Sequence, residues 1–264
     1  SIFFPKEVRR DVFVLYGFVR VADDFVDSVP QQHERFYAFK EAYLRAREGT
    51  PSGDPIIDEF TALKVRKGFE DAWVDAFLRS MEMDLVKSEY DSLDETLEYI
   101  YGSAEVIGLF MASILDLPEE SYYNARMLGR SMQYINFIRD IKEDSELGRR
   151  YLPLDESPLE SLDEEYVRRH EGEFRSFHKG QIELYKRWHA EAAEGYKYIP
   201  KRYLVPIKTA EDMYLWTADR IAGDPLIVYR GKVKPGKLRI LARIIGNFFS
   251  LPGGARRDGA RGGA

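Results

Sequence analysis

A chain of 264 residues with 44% hydrophobic and 14% aromatic content has ample material for a sizeable core, which excludes a disordered protein. Its formal net charge of −6 excludes a protein built mainly to hold nucleic acid. Cysteine is absent, which excludes disulfides, thiolate catalysis and cysteine-ligated metals, and makes a reducing cytoplasm the expected location.

Helical periodicity runs through nearly the whole chain, and period-two alternation is almost missing. The pattern predicts helices over 6–28, 31–48, 55–66, 70–90, 93–116, 119–146, 163–196, 208–222 and 236–249. Breaks fall at Pro30, Gly49 to Pro55, Asp91-Ser92, Pro118, Gly148 to Pro158, Pro200 to Pro206, Gly223 to Pro225 and Pro235-Gly236. Connections this short, with no dividing linker and no repeat, predict one all-α domain over 1–250, a helical bundle. Residues 251–264, rich in Gly and Arg, read as a flexible tail. The longest apolar runs, such as Val106 to Leu115, are too short to cross a bilayer, and no signal peptide is visible. The chain begins at Ser1, directly in a usable pattern, so an upstream segment is expected to be missing.

Two aspartate-rich stretches carry the chemistry. On the first helix Tyr16, Arg20, Asp23 and Asp27 fall within an arc of about 60°, flanked by the apolar Phe13, Val14, Val21 and Phe25. A helix apolar nearly all round is buried, so this strip is expected to face an interior cavity or another polar strip. The second stretch repeats the logic: Asn136, Asp140 and Asp144 are spaced i, i+4, i+8, with Gln133 one turn earlier and Arg139 and Lys142 nearby. Carboxylates on one helix face repel, and burying them is costly without a cation. Three oxygen-bearing side chains on one stripe suit a hard metal, and Mg²⁺ accepts a few carboxylates together with substrate phosphate oxygens.

The bland reading is that acidic residues at i, i+4 decorate a solvated face. Embedding both pairs in aromatic and β-branched runs argues against it. No calcium loop, Gly-rich phosphate loop, dinucleotide fingerprint, zinc-protease helix or nucleophile elbow is present. The histidines His33, His170, His178 and His189 read as surface or capping residues. The small-residue stretch Gly102 to Gly108 fits either a tight helix crossing or room for an elongated ligand. Lys232 to Ser250 is basic and amphipathic, and either packs on the bundle or lies on an anionic membrane surface.

With these motifs the chain resembles the squalene and phytoene synthase family, the head-to-head prenyl transferases, from about Pro5 to Leu238. Leu15 to Asp27 is similar to the family's first aspartate-rich motif, and Met132 to Asp144 to its second. Gly148-Arg149-Arg150-Tyr151-Leu152-Pro153 is similar to the loop that follows, and Tyr99 to Gly108 matches a cavity-lining segment whose wording is closest to the carotenoid branch. The resemblance implies an isoprenoid-synthase helical bundle around a central cavity. It implies Mg²⁺, two or three ions with substrate diphosphate, held by Asp23, Asp27, Asn136, Asp140 and Asp144. Arg20, Arg139 and Gln133 become candidate diphosphate partners, and Tyr16, Tyr99 and Tyr214 candidate cavity groups.

The implied reaction joins two prenyl diphosphates, foremost geranylgeranyl diphosphate to give phytoene, with no nicotinamide cofactor. Squalene or dehydrosqualene formation from farnesyl diphosphate is the alternative, then a terpene cyclase, then a non-catalytic bundle. The family's late arginine-valine pair corresponds to Arg230 or to Lys232-Val233, Glu105 stands where many members have a small residue, and the family's early wall segment falls before Ser1.

Overall fold

The computed structural model describes residues 4–251, and every named element among them is helical. A lone parallel bridge between Glu89 and Arg150 ties the loop after α4 to the loop after α8. α1 (Lys6–Asp27) buries Leu15, Phe18, Ala22 and Val26, a one-face spacing. It stops at Ser28, whose backbone is extended ahead of Val29-Pro30. α2 (His33–Arg47), α3 (Pro55–Lys67) and α4 (Asp71–Val86) follow. α3 shows how local chemistry sets helix ends: Asp54 accepts the Ile56 N–H at 2.8 Å, Pro55 opens the helix, and Gly68 closes it with φ of 67°. Phe18 stacks on Phe60 at 3.8 Å in the core these helices share with α6.

α5 (Leu93–Ile100) runs through a π-turn, Tyr101–Glu105, into α6 (Val106–Ile114). The helix expected over 93–116 is present, but it joins apolar runs that singly are too short to cross a bilayer. As one helical rod, Leu93–Ile114 has 22 residues and a mean hydropathy of 1.2, long and apolar enough to cross a membrane by length and composition. Here 61% of its most apolar window is buried inside the bundle, as in a core helix. α7 (Tyr122–Arg139), α8 (Ile141–Glu146), α9 (Glu164–Arg169), α10 (Glu171–Ala193), α11 (Lys201–Gly223), α12 (Ile227–Arg230) and α13 (Lys237–Ser250) complete the order. α7 and α10 lie along each other, with Tyr134 edge-on to Trp188 at 5.0 Å in a second core.

Three long helices differ from expectation. The helix expected over 119–146 breaks at Asp140, which takes φ −98°, ψ 16° while Arg139 holds its carboxylate from the adjacent position. The helix expected over 163–196 breaks at His170, whose Nδ1 lies 2.9 Å from the Tyr166 carbonyl and whose ring stacks on Tyr166. α11 starts at Lys201 and passes through Pro206, where a chain break was expected. A proline so close to the helix start forgoes one internal hydrogen bond, and its ring faces an apolar cavity with Ile207 and Ala210. The expected tail lies outside the described residues except for Leu251. His178 is fully buried rather than superficial, because it falls on the face of α10 that carries Phe174 and Ile182.

The small-residue stretch serves both readings. A Cβ on Gly102 would sit 2.1 Å from the Ala76 carbonyl, and one on Gly108 2.1 Å from that of Ala125, so α4, the π-turn, α6 and α7 cross backbone to backbone. Gly108 also lines a cavity. Glu105, fully buried in the π-turn, accepts from Arg126 Nε at 2.8 Å and Arg130 Nε at 2.7 Å on α7. Glu105→Ala strands these two guanidiniums, and is expected to cost about 3 kcal/mol, seen as a fall in Tm of about 6–12 °C by calorimetry.

Candidate active site

α7 carries the plan of the site on one face. Ala125, Leu128, Gly129 and Met132 line an apolar chamber of about 350 Å³ that α6 and α11 complete. One turn beyond Met132 stands Asn136, and one turn further Asp140, so the apolar stripe becomes polar toward the C-terminal end of the helix. Asn136 Oδ1 is buried with no hydrogen-bond partner among the described residues. Such an orphan acceptor costs free energy unless something donates to it or coordinates it. Asp140 is held by Arg139, with Nε to Oδ1 at 2.8 Å. Arg139 in turn lines a more open groove of about 510 Å³ with Tyr214 and Lys234, and this groove shares Pro206 and Ala210 with the chamber wall.

The two acidic segments meet at Arg149, in the loop after α8. Its Nη1 lies 2.9 Å from Asp27 Oδ1, and its Nη2 donates to the Val26 carbonyl at 3.1 Å. Its backbone N–H donates to the Asp144 carbonyl at 2.8 Å. Burial, then the Asp140 charge, pushes Asp144 up to about 7, with Asp27 adding to the rise and Arg149 opposing it. Burial, then the Asp27 charge, pushes Asp23 up to about 6, with Arg20 opposing. Arg20 itself pairs with Asp23 at 3.2 Å and Asp24 at 2.7 Å.

Beneath this cluster lies a group that sequence reasoning missed. Asp84 of α4 is buried and accepts from Tyr99 Oη at 2.7 Å and Tyr151 Oη at 3.0 Å. Burial pushes it up to about 6 against the lowering pull of those hydroxyls. Tyr151 stacks on Phe137 at 4.3 Å, and Tyr90 and Tyr99 close an aromatic box around it. The signal was available: Phe77, Leu78, Met81, Asp84 and Leu85 share the buried face of α4, and an acid at such a position is unusual. Arg149 and Tyr151 lie in the loop after the second aspartate-rich stretch, for which the sequence pattern gives no role.

Asp23, Asp27, Asp144 and Arg149 therefore belong to one cleft, and Arg139 and Asp140 adjoin it at the end of α7, with Tyr214 of α11 in the groove beside Arg139. Tyr99 lies behind the cleft through Asp84 rather than in the chamber wall, whose aromatic groups are Phe4 and Tyr196. Gln133 is half-buried on α7 beside Met132. Tyr16 and Phe13 are 60% and 58% exposed, so α1 is not buried all round as expected: it buries one face, and its acidic strip borders an open cleft.

Among the described residues no three carboxylate or imidazole groups are gathered closely enough to hold an ion alone. The donor set nonetheless fits a hard divalent ion that takes further ligands from a substrate. Every donor is an oxygen, one is an orphan, and two carboxylates, through burial and then a neighbouring carboxylate, are raised to about 6 and about 7.

Known proteins resemble this chain in sequence and in fold. The sequence pattern of the squalene/phytoene synthase family matches residues 1–239. The chain is 29% identical over 251 residues to phytoene synthase 2, chloroplastic, of Zea mays, covering 89% of this chain and 61% of that one. It is 26% identical over 228 residues to the 15-cis-phytoene synthase of Pantoea ananas, covering 81% and 74%. With the Paracoccus 15-cis-phytoene synthase it is 30% identical over 164 residues, only 53% of that protein's length. The squalene synthase HpnC of Alicyclobacillus acidocaldarius superimposes with a TM-score of 0.73 at 21% identity, covering 89% of this chain and 88% of that one. A dehydrosqualene synthase solved with a ligand gives 0.67 at 20%, covering 93% and 87%. With the motifs, the bundle and the paired acidic segments in agreement, the chain belongs to the squalene/phytoene synthase family.

Proposed function

We propose that the protein joins two molecules of geranylgeranyl diphosphate head to head, through a cyclopropyl diphosphate, to phytoene. One observation carries this reading: a single face of α7 leads from an apolar chamber to Asn136 and Asp140, at a cleft where Asp27 and Asp144 share Arg149. An amphiphile with a long hydrocarbon tail and a polyanionic head matches that polarity. The groove holding Arg139 and Tyr214 adjoins the chamber and offers room for a second tail.

Asp23, Asp27, Asn136, Asp140 and Asp144 would hold the magnesium. When bound, it supplies Lewis-acid neutralisation of charge on the departing diphosphate. Arg149, Arg139 and Arg20 provide fixed positive charge for the same oxygens. The allylic C–O bond breaks with its electron pair going to diphosphate, and the double bond of the second molecule attacks the cation. Proton loss closes the cyclopropane; a second ionisation, rearrangement and proton loss give the hydrocarbon. The chamber lining, largely Ala, Gly, Ile, Leu and Met, offers little that would trap a cation.

The C20 substrate is favoured by the carotenoid-branch wording of Tyr99 to Gly108 and by relatives that are phytoene synthases. Incubation with Mg²⁺ and either geranylgeranyl or farnesyl diphosphate, followed by identification of the hydrocarbon, tests it. Phytoene from the first supports the proposal. A C30 hydrocarbon from the second alone replaces it with the farnesyl reading. A product from one diphosphate makes the protein a cyclase, and no product from either rejects the enzyme reading.

A further inference from the structure

α13 carries apolar side chains on two sides. Ile240 and Ile244 turn inward and line the groove beside Tyr214, while buried Asn247 donates to Thr209 Oγ1 at 3.2 Å and Asp212 Oδ2 at 2.8 Å. On the outward side, Leu238, Leu241, Ile245, Phe248 and Phe249 fall within an arc of about 100°. They are 84, 54, 51, 56 and 79% exposed. A helix that merely packs on a bundle shows water its polar side; this one shows water five large apolar groups.

Charge selects the occupant. Between Arg230 and Leu251 there are six basic residues and no acidic one, in a chain of formal net charge −6. Arg230, Lys232 and Arg243 pair with Asp224, Glu143 and Asp212. Lys234, Lys237 and Arg239 are exposed and meet no carboxylate among the described residues; Arg239 lies over Trp216 at 5.0 Å. A second copy docking symmetrically through α13 would bring two such basic segments together, which like-charge repulsion disfavours.

We propose that the outward face of α13 docks on an anionic lipid surface. Its leucines, isoleucine and phenylalanines enter the headgroup–acyl boundary, and Lys234, Lys237 and Arg239 meet the lipid phosphates. Ile240 and Ile244 then sit one helix thickness from the bilayer, so the groove opens beside it. Docking itself is independent of the substrate assignment; only the passage of a water-insoluble product into lipid rests on the proposed reaction.

Flotation of the full chain with vesicles of phosphatidylcholine alone, or with added phosphatidylserine, tests the docking. The protein is expected to float with the anionic vesicles only, and less so as salt rises. The double variant Lys237→Gln/Arg239→Gln is expected to bind about 25-fold more weakly, about fivefold per charge. Leu241→Ser/Ile245→Ser is expected to remain in the dense fraction with an unchanged Tm. Absence of wild-type flotation on anionic vesicles would overturn the proposal. So would undiminished flotation of both variants, or a solution dimer that Leu241→Ser/Ile245→Ser dissolves.

Discussion

Replacing Asp144 with asparagine is expected to lower hydrocarbon formation about 10²–10³-fold and to abolish the thermal shift that Mg²⁺ and pyrophosphate produce together. The side chain keeps its shape but loses the charge that would hold the ion, and Asn136 and Asp140 cannot replace it. The same substitution is expected to raise the Tm of the metal-free protein by a few degrees at pH 8. Burial and the Asp140 charge raise Asp144 from the ordinary 3.8 to about 7, so the folded chain binds more protons than the unfolded one between those values. Stability of the metal-free protein therefore falls as pH rises through this window. In Asp144→Asn that slope flattens, and at pH 4 the variant and the parent converge. Calorimetry at both pH values, with and without metal and pyrophosphate, measures all of this. A variant that keeps its ligand-induced shift would remove Asp144 from the metal site.

Arg149→Ala is expected to produce a comparable loss of turnover, about 10²–10³-fold, by a different route. Arg149 is the cation that Asp27, Asp84 and Asp144 share across three elements, paired at 2.9 Å with Asp27. Without it these carboxylates repel one another with no shared counter-charge, and Asp84 and Asp144 keep their protons to higher pH. The metal-free Tm is thus expected to drop at pH 8 and to recover toward pH 5, opposite in sign to Asp144→Asn at pH 8. Arg149→Lys restores the charge but not the two-pronged reach to the carboxylate and the Val26 carbonyl, so partial recovery is expected. A pH-independent loss of stability in Arg149→Ala would mean that the residue only braces the loop.

The helical architecture was legible because its punctuation is local. Asp54-Pro55 and Gly68 bound α3 through chemistry confined to a few residues. The two aspartate-rich stretches were legible because their spacing matches the helix repeat. What escaped notice depended on tertiary partners. Pro206 stays inside α11 with its ring on a chamber that other helices complete. Arg149 reaches back 122 positions to Asp27, and Tyr151 reaches 67 to Asp84; no local pattern announces either pairing. The exposure of Tyr16 escaped for the same reason. The periodicity of α1 shows a strip, but which faces the other helices cover is decided by the arrangement of the bundle.

The glycine crossings have an evolutionary corollary. Gly102 and Gly108 press against the carbonyls of Ala76 and Ala125, and Gly129 against that of Ala104, each so closely that a single added carbon would collide. Backbones that touch at three points cannot take a larger residue there unless the helices move apart. The girth of the chamber is set by glycines that no larger residue can replace in place, whereas side chains such as Leu115 and Leu117 in its wall can be exchanged. Descendants of this chain could therefore retune how long a tail they accept far more readily than how thick.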